Sequence, residues 1–504
     1  MNTFCLQDLT VRDGNQSLLA TRMEREDILA LAAILDKVGF QSMEAWGGAT
    51  FDSAYRFLNQ SAWDNLREIR QVAANTKLSM LLRGQNIVGY RHYDNDILER
   101  FIRLTVDNGI DIIRCFDALN DINNVRNAFS YIKKSGAHLE AAIAYTVSPY
   151  HTIGYFVDLV KQYEDLGADS ICIKDMAGII TPNDVRELVT ALKQATDLPI
   201  NLHSHTTAGL TTLVMLEAIK AGVDCVDGCI SPFSGGTAHL ADETLLAIAD
   251  QLGRPYKIDK TALTEAFELA DKIADKYIAK GDYRTRSLIP NPKILEYKIP
   301  GGMLSNLLSQ LEEQGAADRV HEVLQEVPQV RKDMGYPPLV TPLSQMVGSQ
   351  AVLNVLLGER YKISPNEIKT YLVGGYGRPP GKLDPEIRRK ILGGDQAFVA
   401  SDVDAIEPEY DKNFAYLQKL LHRKPLEEEV VAYTIFPGPV EEYMRQKELK
   451  SEQQKTRPIT SGKKSAAAVE HDQEKKIKYN PAMKNYRVTV AGEEYIVELE
   501  ELSS

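Results

Sequence analysis

Through the first 250 residues, short apolar and β-branched runs alternate with longer stretches whose apolar positions recur every three to four residues. The short runs, at residues 5–10, 42–46, 78–82, 111–116, 139–145, 170–173, 200–203 and 225–230, predict eight strands. The stretches between them predict helices, such as 26–38, which stops before Gly39, and 182–195, which starts at a proline. Eight strand–helix units of about 28 to 37 residues predict an α/β chain built as a (β/α)8 TIM barrel over residues 1–258, in preference to an open doubly wound sheet. Side chains at the carboxyl ends of barrel strands converge on one face. Asp13, Trp46, Arg83, Asp117, Lys174, His203, His205 and Thr237 all lie at or just after such ends, so the barrel would make neighbours of distant positions.

From about residue 259 the strand pattern gives way to helical segments at 260–279, 304–314, 318–333 and 344–357, predicting a mainly helical C-terminal domain over 259–446 that completes a funnel above the barrel. Residues 447–478 turn polar and charged and read as a flexible linker. In the tail, 479–504, two β-rich runs at 486–490 and 495–499 flank Ala491-Gly492 as in a hairpin.

Composition narrows the class. The chain is 44% hydrophobic and 25% charged, as in ordinary globular proteins. It shows no window of about twenty apolar residues for a membrane span and no charged-then-apolar leader near Met1. A net charge of −12 argues against a sequence-independent grip on nucleic acid. Of five cysteines, Cys5, Cys172, Cys225 and Cys229 lie in apolar runs, which suits buried thiols in a reducing cytoplasm; Cys115 stands near a strand end, where it could line a pocket.

His203 and His205 are two apart on a predicted strand and so face the same way. Two imidazoles and the carboxylate of Asp13 suit a first-row divalent ion. The triplet alone is equally compatible with two polar residues at a strand end. Lys174 would face the same mouth; as an ammonium it binds no cation, and it becomes a ligand only after carboxylation to a carbamate. An ion pair with a nearby carboxylate is its plainer reading. Arg83 presents either a bidentate fork for a small carboxylate or a structural salt bridge. Gln16 could donate to a keto oxygen, and Thr237 could relay a proton from the loop after the eighth strand. The Gly235-Gly236 pair in that loop has no Walker-type lysine after it.

Taken together, Arg12-Asp13-Gly14-Asn15-Gln16, Glu44-Ala45-Trp46-Gly47-Gly48, Arg83-Gly84-Gln85-Asn86, Lys174-Asp175-Met176-Ala177-Gly178 and His203-Ser204-His205-Thr206-Thr207 resemble the carboxyltransferase component of biotin-dependent enzymes. That group includes pyruvate carboxylase, the oxaloacetate decarboxylase alpha subunit and the large-barrel subunit of transcarboxylase. The likeness continues through Ile299-Pro300-Gly301-Gly302, Val340-Thr341-Pro342 and Gly374-Gly375-Tyr376-Gly377. It implies a divalent metal (Zn, Mn or Co) held by Asp13, His203, His205 and a carbamylated Lys174, with Gln16 and Arg83 binding pyruvate or oxaloacetate and Thr237 moving a proton to or from biotin. Around Thr237 the loop is closer to the carboxylase form than to that of oxaloacetate decarboxylases.

Two departures shape the expected partnership. The first strand begins near Met1, with no biotin carboxylase region before it; and Ala482-Met483-Lys484 is followed by Asn485 where the biotin-bearing motif continues with methionine, with only twenty residues after Lys484. The expectation is carboxybiotin supplied in trans by a separate biotin carrier protein to a cytoplasmic homodimer. The favoured assignment is an oxaloacetate decarboxylase alpha subunit, which a membrane decarboxylase subunit would hold at the membrane; a transcarboxylase or split pyruvate carboxylase subunit is the alternative. More distant is an acyl-CoA aldol or Claisen enzyme of the isopropylmalate synthase or hydroxymethylglutaryl-CoA lyase type. Those usually carry Asn-Asp after the histidines, where this chain has Thr206-Thr207, and lack the lysine. A non-catalytic scaffold would be expected to have lost metal ligands, yet all four are present.

Overall fold

Parallel strands β1 (Cys5–Asp8), β2 (Ser42–Trp46), β3 (Lys77–Leu82), β4 (Ile112–Cys115), β5 (His138–Ala144), β6 (Ser170–Asp175), β7 (Ile200–Ser204) and β8 (Cys225–Gly228) close into a barrel in chain order, with β8 pairing back to β1. They are seen in a computed structural model that describes residues 3–297, 307, 310–312, 314–456, 483–490 and 493–500. Because helices cover the outside and side chains fill the inside, strand residues are buried on both faces, which is why they read as near-continuous apolar runs. The barrel and its helical cover are the predicted fold.

Two local departures decide where side chains point. Strand β1 stops at Asp8 rather than residue 10, and Thr10–Gly14 forms one π-helical turn. In it the Leu9 carbonyl accepts from the amides of Arg12, Asp13 and Gly14 at 3.3, 2.8 and 3.0 Å. All five residues of that turn are buried. In β2, Glu44 pairs with Ser79 but Trp46 with Met80, a bulge that breaks the alternation between them. Glu44 therefore reaches Arg12, while Trp46 packs among Phe51, Trp63 and Phe101. The expectation that Trp46 lines the mouth is thus corrected. The helix predicted over 26–38 runs Arg25–Leu35; the chain turns at Asp36, whose carboxylate accepts from the amides of Asn75 and Thr76 at 2.9 and 2.6 Å.

Beyond the barrel, helices Lys260–Lys280, Val320–Asp333 and Leu343–Leu357 follow the predicted segments closely. Leu307, Leu311, Val323, Val327, Val347 and Tyr371 belong to a second apolar cluster. The predicted helix 304–314 lies partly outside the described residues, as does the whole of Ile299-Pro300-Gly301-Gly302. Helices Tyr410–Leu421 and Glu427–Ile435 and the start of Pro437–Thr456 return to the barrel core. There Phe436 meets Phe51 at 5.9 Å between ring centroids, Tyr443 meets Tyr55 at 5.3 Å, and the Trp63 indole donates to the Glu428 carbonyl at 3.1 Å.

The chain divides into two compact units, Met1–Lys450 and Ser451–Ser504. The helix Pro437–Thr456 takes in the first part of the predicted linker, because Glu, Gln, Lys and Arg are good helix formers whatever their polarity and pairs such as Glu441–Arg445 support the turn. Residues 457–478 of that linker, and Ala482, lie outside the described residues. In the tail, Met483–Val490 and Glu493–Glu500 pair as antiparallel strands.

Candidate active site

The barrel interior carries charge where a closed core would carry leucine. Arg114 on β4 pairs with Glu140 on β5 and with Asp227 on β8, and donates to the Gln7 amide oxygen on β1 at 2.8 Å. All four side chains are buried. Asp227 also accepts from Asn201 at 2.7 Å and from His203 Nδ1 at 2.6 Å. Burial opposes the charge on Asp227, but Arg114 beside it holds the carboxyl far below the usual range.

That floor orients His203, and backbone carbonyls orient the other two histidines. His203 gives its Nδ1 proton to Asp227; His205 Nδ1 donates to the Thr237 carbonyl at 2.6 Å, and His239 Nδ1 donates to the Ser204 carbonyl at 3.2 Å. With all three protons assigned to Nδ1 by their acceptors, each Nε2 presents a lone pair inward. These atoms lie 3.7, 3.7 and 3.3 Å, for His203, His205 and His239, from Asp13 Oδ2. Nε2 of His205 and of His239 is buried with no hydrogen-bond partner among the described residues. Burial pushes His205 down to about 3 and His203 well below the ordinary imidazole value, so both are neutral near pH 7. Burial works against ionisation of Asp13 as well, yet Arg12, 2.8 Å away, holds it well below the carboxylate range. Converging lone pairs beside a carboxylate are the environment a cation stabilises, so these residues fit a divalent metal.

Lys174 pairs laterally with His203 across β6 and β7, and its Nζ lies 2.8 Å from His203 Nε2. Burial lowers its affinity for a proton, although Asp13 acts in the opposite sense. Among the described residues it makes no ion pair within 4 Å, so the plainer reading finds no partner. Asp175 turns away: it accepts from the amides of Ile179 and Ile180, both at 3.0 Å, and from Ser204 Oγ at 3.0 Å. That makes it a support for the β6 turn.

Gln16 joins the cluster through Arg12, whose Nη1 donates to its carbonyl oxygen at 3.1 Å and leaves its amide protons for another acceptor. Thr237 is half-buried, with its hydroxyl donating to the Ser17 carbonyl at 3.1 Å. Its loop is pinned at Gly236, where φ is +52° and a Cβ would stand 1.8 Å from the Ser287 carbonyl oxygen. Arg83 donates to the carbonyls of Val88 and Gly89 at 3.3 and 3.0 Å and has no carboxylate partner among the described residues. Gly48 makes room for it, since a Cβ there would lie 2.7 Å from its Nη2. Together with Asn86, Phe116, Leu343 and Tyr376 it lines a cavity between the barrel mouth and the helical region. No hydrogen bond among the described residues ties Arg83 to the donor cluster. Asp117 lines the same cavity, but its carboxylate is occupied by the Leu119 and Asp121 amides at 2.8 and 3.0 Å and by Asn124. Cys115 is fully buried in the core, with its thiol pushed up to about 12 by burial.

Sequence reasoning missed two parts of this site. Arg114, Glu140 and Asp227 interrupt apolar runs, a signal that was legible. His239 lies on a loop, where no alternation rule says which way it faces.

Residues 3–270 match the HMGL-like family model, and residues 294–501 match the conserved carboxylase domain. A pyruvate carboxylase subunit of Methanocaldococcus jannaschii is 46% identical over 98% of this chain and 84% of its own length. The methylmalonyl-CoA carboxyltransferase 5S subunit of Propionibacterium freudenreichii subsp. shermanii is 41% identical over 86% of this chain and 85% of its own. The carboxyl transferase domain of Rhizobium etli pyruvate carboxylase, solved with pyruvate and biocytin, superposes with a TM-score of 0.84 at 28% identity, covering 99% of this chain and 89% of that one. The carboxylase-domain match and the relatives aligned over most of both chains place the chain in the carboxyltransferase family of biotin-dependent enzymes.

Proposed function

We propose that the chain transfers a carboxyl group between carboxybiotin, brought by a separate carrier protein, and the methyl carbon of pyruvate, as the carboxyltransferase component of a split pyruvate carboxylase. The observation that carries this reading is the convergence of Asp13, His203 and His205 beside a buried Lys174 that makes no ion pair among the described residues. The name and 46% identity of the Methanocaldococcus jannaschii relative support the carboxylating direction over the oxaloacetate decarboxylase alpha subunit that was the favoured assignment from the sequence. The decarboxylase and transcarboxylase readings use the same half-reaction, and the 5S relative supports the latter. Among the described residues no helix is long and apolar enough to cross a membrane.

Asp13, His203, His205 and a carboxylated Lys174 would hold a divalent ion, Zn, Mn or Co. Such an ion supplies a Lewis acid for the keto oxygen and so favours the enolate of the substrate. Lys174 becomes a ligand when its neutral amine attacks carbon dioxide: an N–C bond forms, one proton leaves and an anionic carbamate remains. Arg83 offers its guanidinium to the substrate carboxylate. Gln16, its carbonyl already engaged by Arg12, donates an amide proton to the keto oxygen. The Thr237 hydroxyl carries the compensating proton between the substrate methyl carbon and N1 of biotin.

The test is discharge of a 14C-carboxylated biotinyl carrier protein by the purified chain. Pyruvate-dependent appearance of label in oxaloacetate is expected. Discharge that ignores pyruvate, or oxaloacetate decay that needs no biotin, would overturn the reading.

A further inference from the structure

We infer that His239 is a third imidazole ligand of the metal, so that the protein supplies four donors, Asp13, His203, His205 and His239, before Lys174 is carboxylated. This rests on the metal-dependent reading above and goes beyond it.

The argument starts from what His239 lacks. Its side chain is fully buried, and its Nε2 has no hydrogen-bond partner among the described residues. A buried imidazole nitrogen without a partner loses the free energy of the hydrogen bond it would make in water, and sites that tolerate this are those where another group arrives. Its ring is not loose: Nδ1 donates to the carbonyl of Ser204, on β7 between the other two histidines. That bond is the carbonyl support metal-bound histidines typically have, and it matches the bond His205 makes to Thr237.

The free nitrogen is also well placed. His239 Nε2 is, of the three, the nearest to Asp13 Oδ2, at 3.3 Å. Ligand atoms at bonds of about 2.0–2.2 Å around a tetrahedral ion stand roughly 3.3–3.6 Å apart, and the carboxylate-to-imidazole separations of 3.3 to 3.7 Å lie close to that edge. All four donor atoms fall within 4.8 Å of one another. The His239 ring centroid is 4.4 Å from that of His203 and 4.3 Å from that of His205, closer than those two are to each other at 5.2 Å. Two lone pairs facing a carboxylate repel it unless a cation lies between them.

The consequence separates binding the metal from modifying the lysine. Carboxylation of Lys174 would then tune an ion already in place, adding an anionic donor to its surroundings.

The purified full-length chain, stripped with a chelator, is titrated with Co(II) against a chromophoric competitor, and the bound Co(II) spectrum is recorded. His239→Ala and His239→Gln should raise the Kd by about tenfold or more and change the d–d bands. Lys174→Met should retain metal after dialysis, whereas the double variant Lys174→Met/His239→Ala should lose it. X-ray absorption on the native Co(II) or Zn(II) protein should count three imidazoles, a readout that needs no variant to fold. A native count of two, a His239 variant with unchanged affinity and spectrum, or loss of metal from Lys174→Met alone would overturn the assignment. A native chain that takes up no metal would overturn both this inference and the reading it rests on.

Discussion

Replacing Asp227 with asparagine tests whether the charged floor of the barrel holds the site above it. The carboxylate accepts from His203 Nδ1 at 2.6 Å, from Arg114 at 2.5 and 3.0 Å, and from Asn201 at 2.7 Å, all out of contact with water. Asparagine keeps the shape and removes the charge. Breaking a buried ion pair by taking one partner costs about 3–5 kcal/mol, and because Glu140 still faces Arg114 the lower end applies. A second effect is specific to the site. An asparagine NH2 turned toward His203 would favour the imidazole tautomer protonated at Nε2, turning a donor into a blocked position. Loss of such a supporting group lowers metal affinity by about 10–100-fold, or about 1.4–2.7 kcal/mol. The assays are the urea midpoint of the metal-free chain and the Kd for Co(II) by competition. A lower midpoint and a Kd raised at least tenfold are expected. An unchanged midpoint with affinity within twofold would refute the argument that Asp227 sets both the charge balance and the His203 tautomer.

Thr237→Ala should lower carboxyl exchange by about 10²–10⁴-fold while leaving metal content intact, because the bond to His205 comes from the Thr237 backbone carbonyl; an unchanged rate removes the hydroxyl from proton transfer. Arg83→Gln should raise KM for the 2-oxo acid by about 10–100-fold, the loss of a charge-assisted hydrogen bond worth about 1.5–3 kcal/mol, and a KM equal to that of the native chain would refute its role. The buried carboxyls of Asp8 and Asp242 make a pH prediction: burial raises Asp8 to about 6 and Asp242 above the usual value. The folded chain therefore holds a proton that the unfolded chain releases near pH 3.9, so the stability it contributes is complete below about pH 4 and is lost as pH rises through 6. Asp242→Asn should gain Tm relative to the native chain between pH 4.5 and 8, and parallel Tm–pH curves would show that the pair does not titrate this way.

The barrel was legible because its strands are buried on both faces, so apolar runs bounded by turns marked each of them to within two residues. What escaped was local geometry. Nothing in Leu9-Thr10-Val11 announces a π-turn, which depends on one carbonyl taking three amides, and no residue in Glu44-Ala45-Trp46 signals the bulge that sends Trp46 outward. Gln16, Arg83, Lys174 and Thr237 stood in the sequence as side chains of suitable chemistry. Their surroundings, such as the absence of an ion-pair partner for Arg83 among the described residues, are a property of elements far apart in the chain. Arg114 illustrates the same limit: its charge within an apolar strand was visible, and Glu140 stands opposite it on the neighbouring strand, but Asp227 and Gln7 lie on strands that only barrel closure brings near.

The return of the last helices to the barrel core bears on how the chain is made. During synthesis the aromatic side chains of Phe51, Tyr55 and Trp63 leave the ribosome hundreds of residues before Phe436, Tyr443 and the Glu428 carbonyl that cover them. Until then the nascent barrel carries a bare apolar flank, which invites association with other chains and prolonged chaperone contact. A gene fragment ending near residue 258 would keep that flank bare permanently, so soluble production of the barrel calls for the segment around 410–444 to be supplied with it, fused or co-expressed.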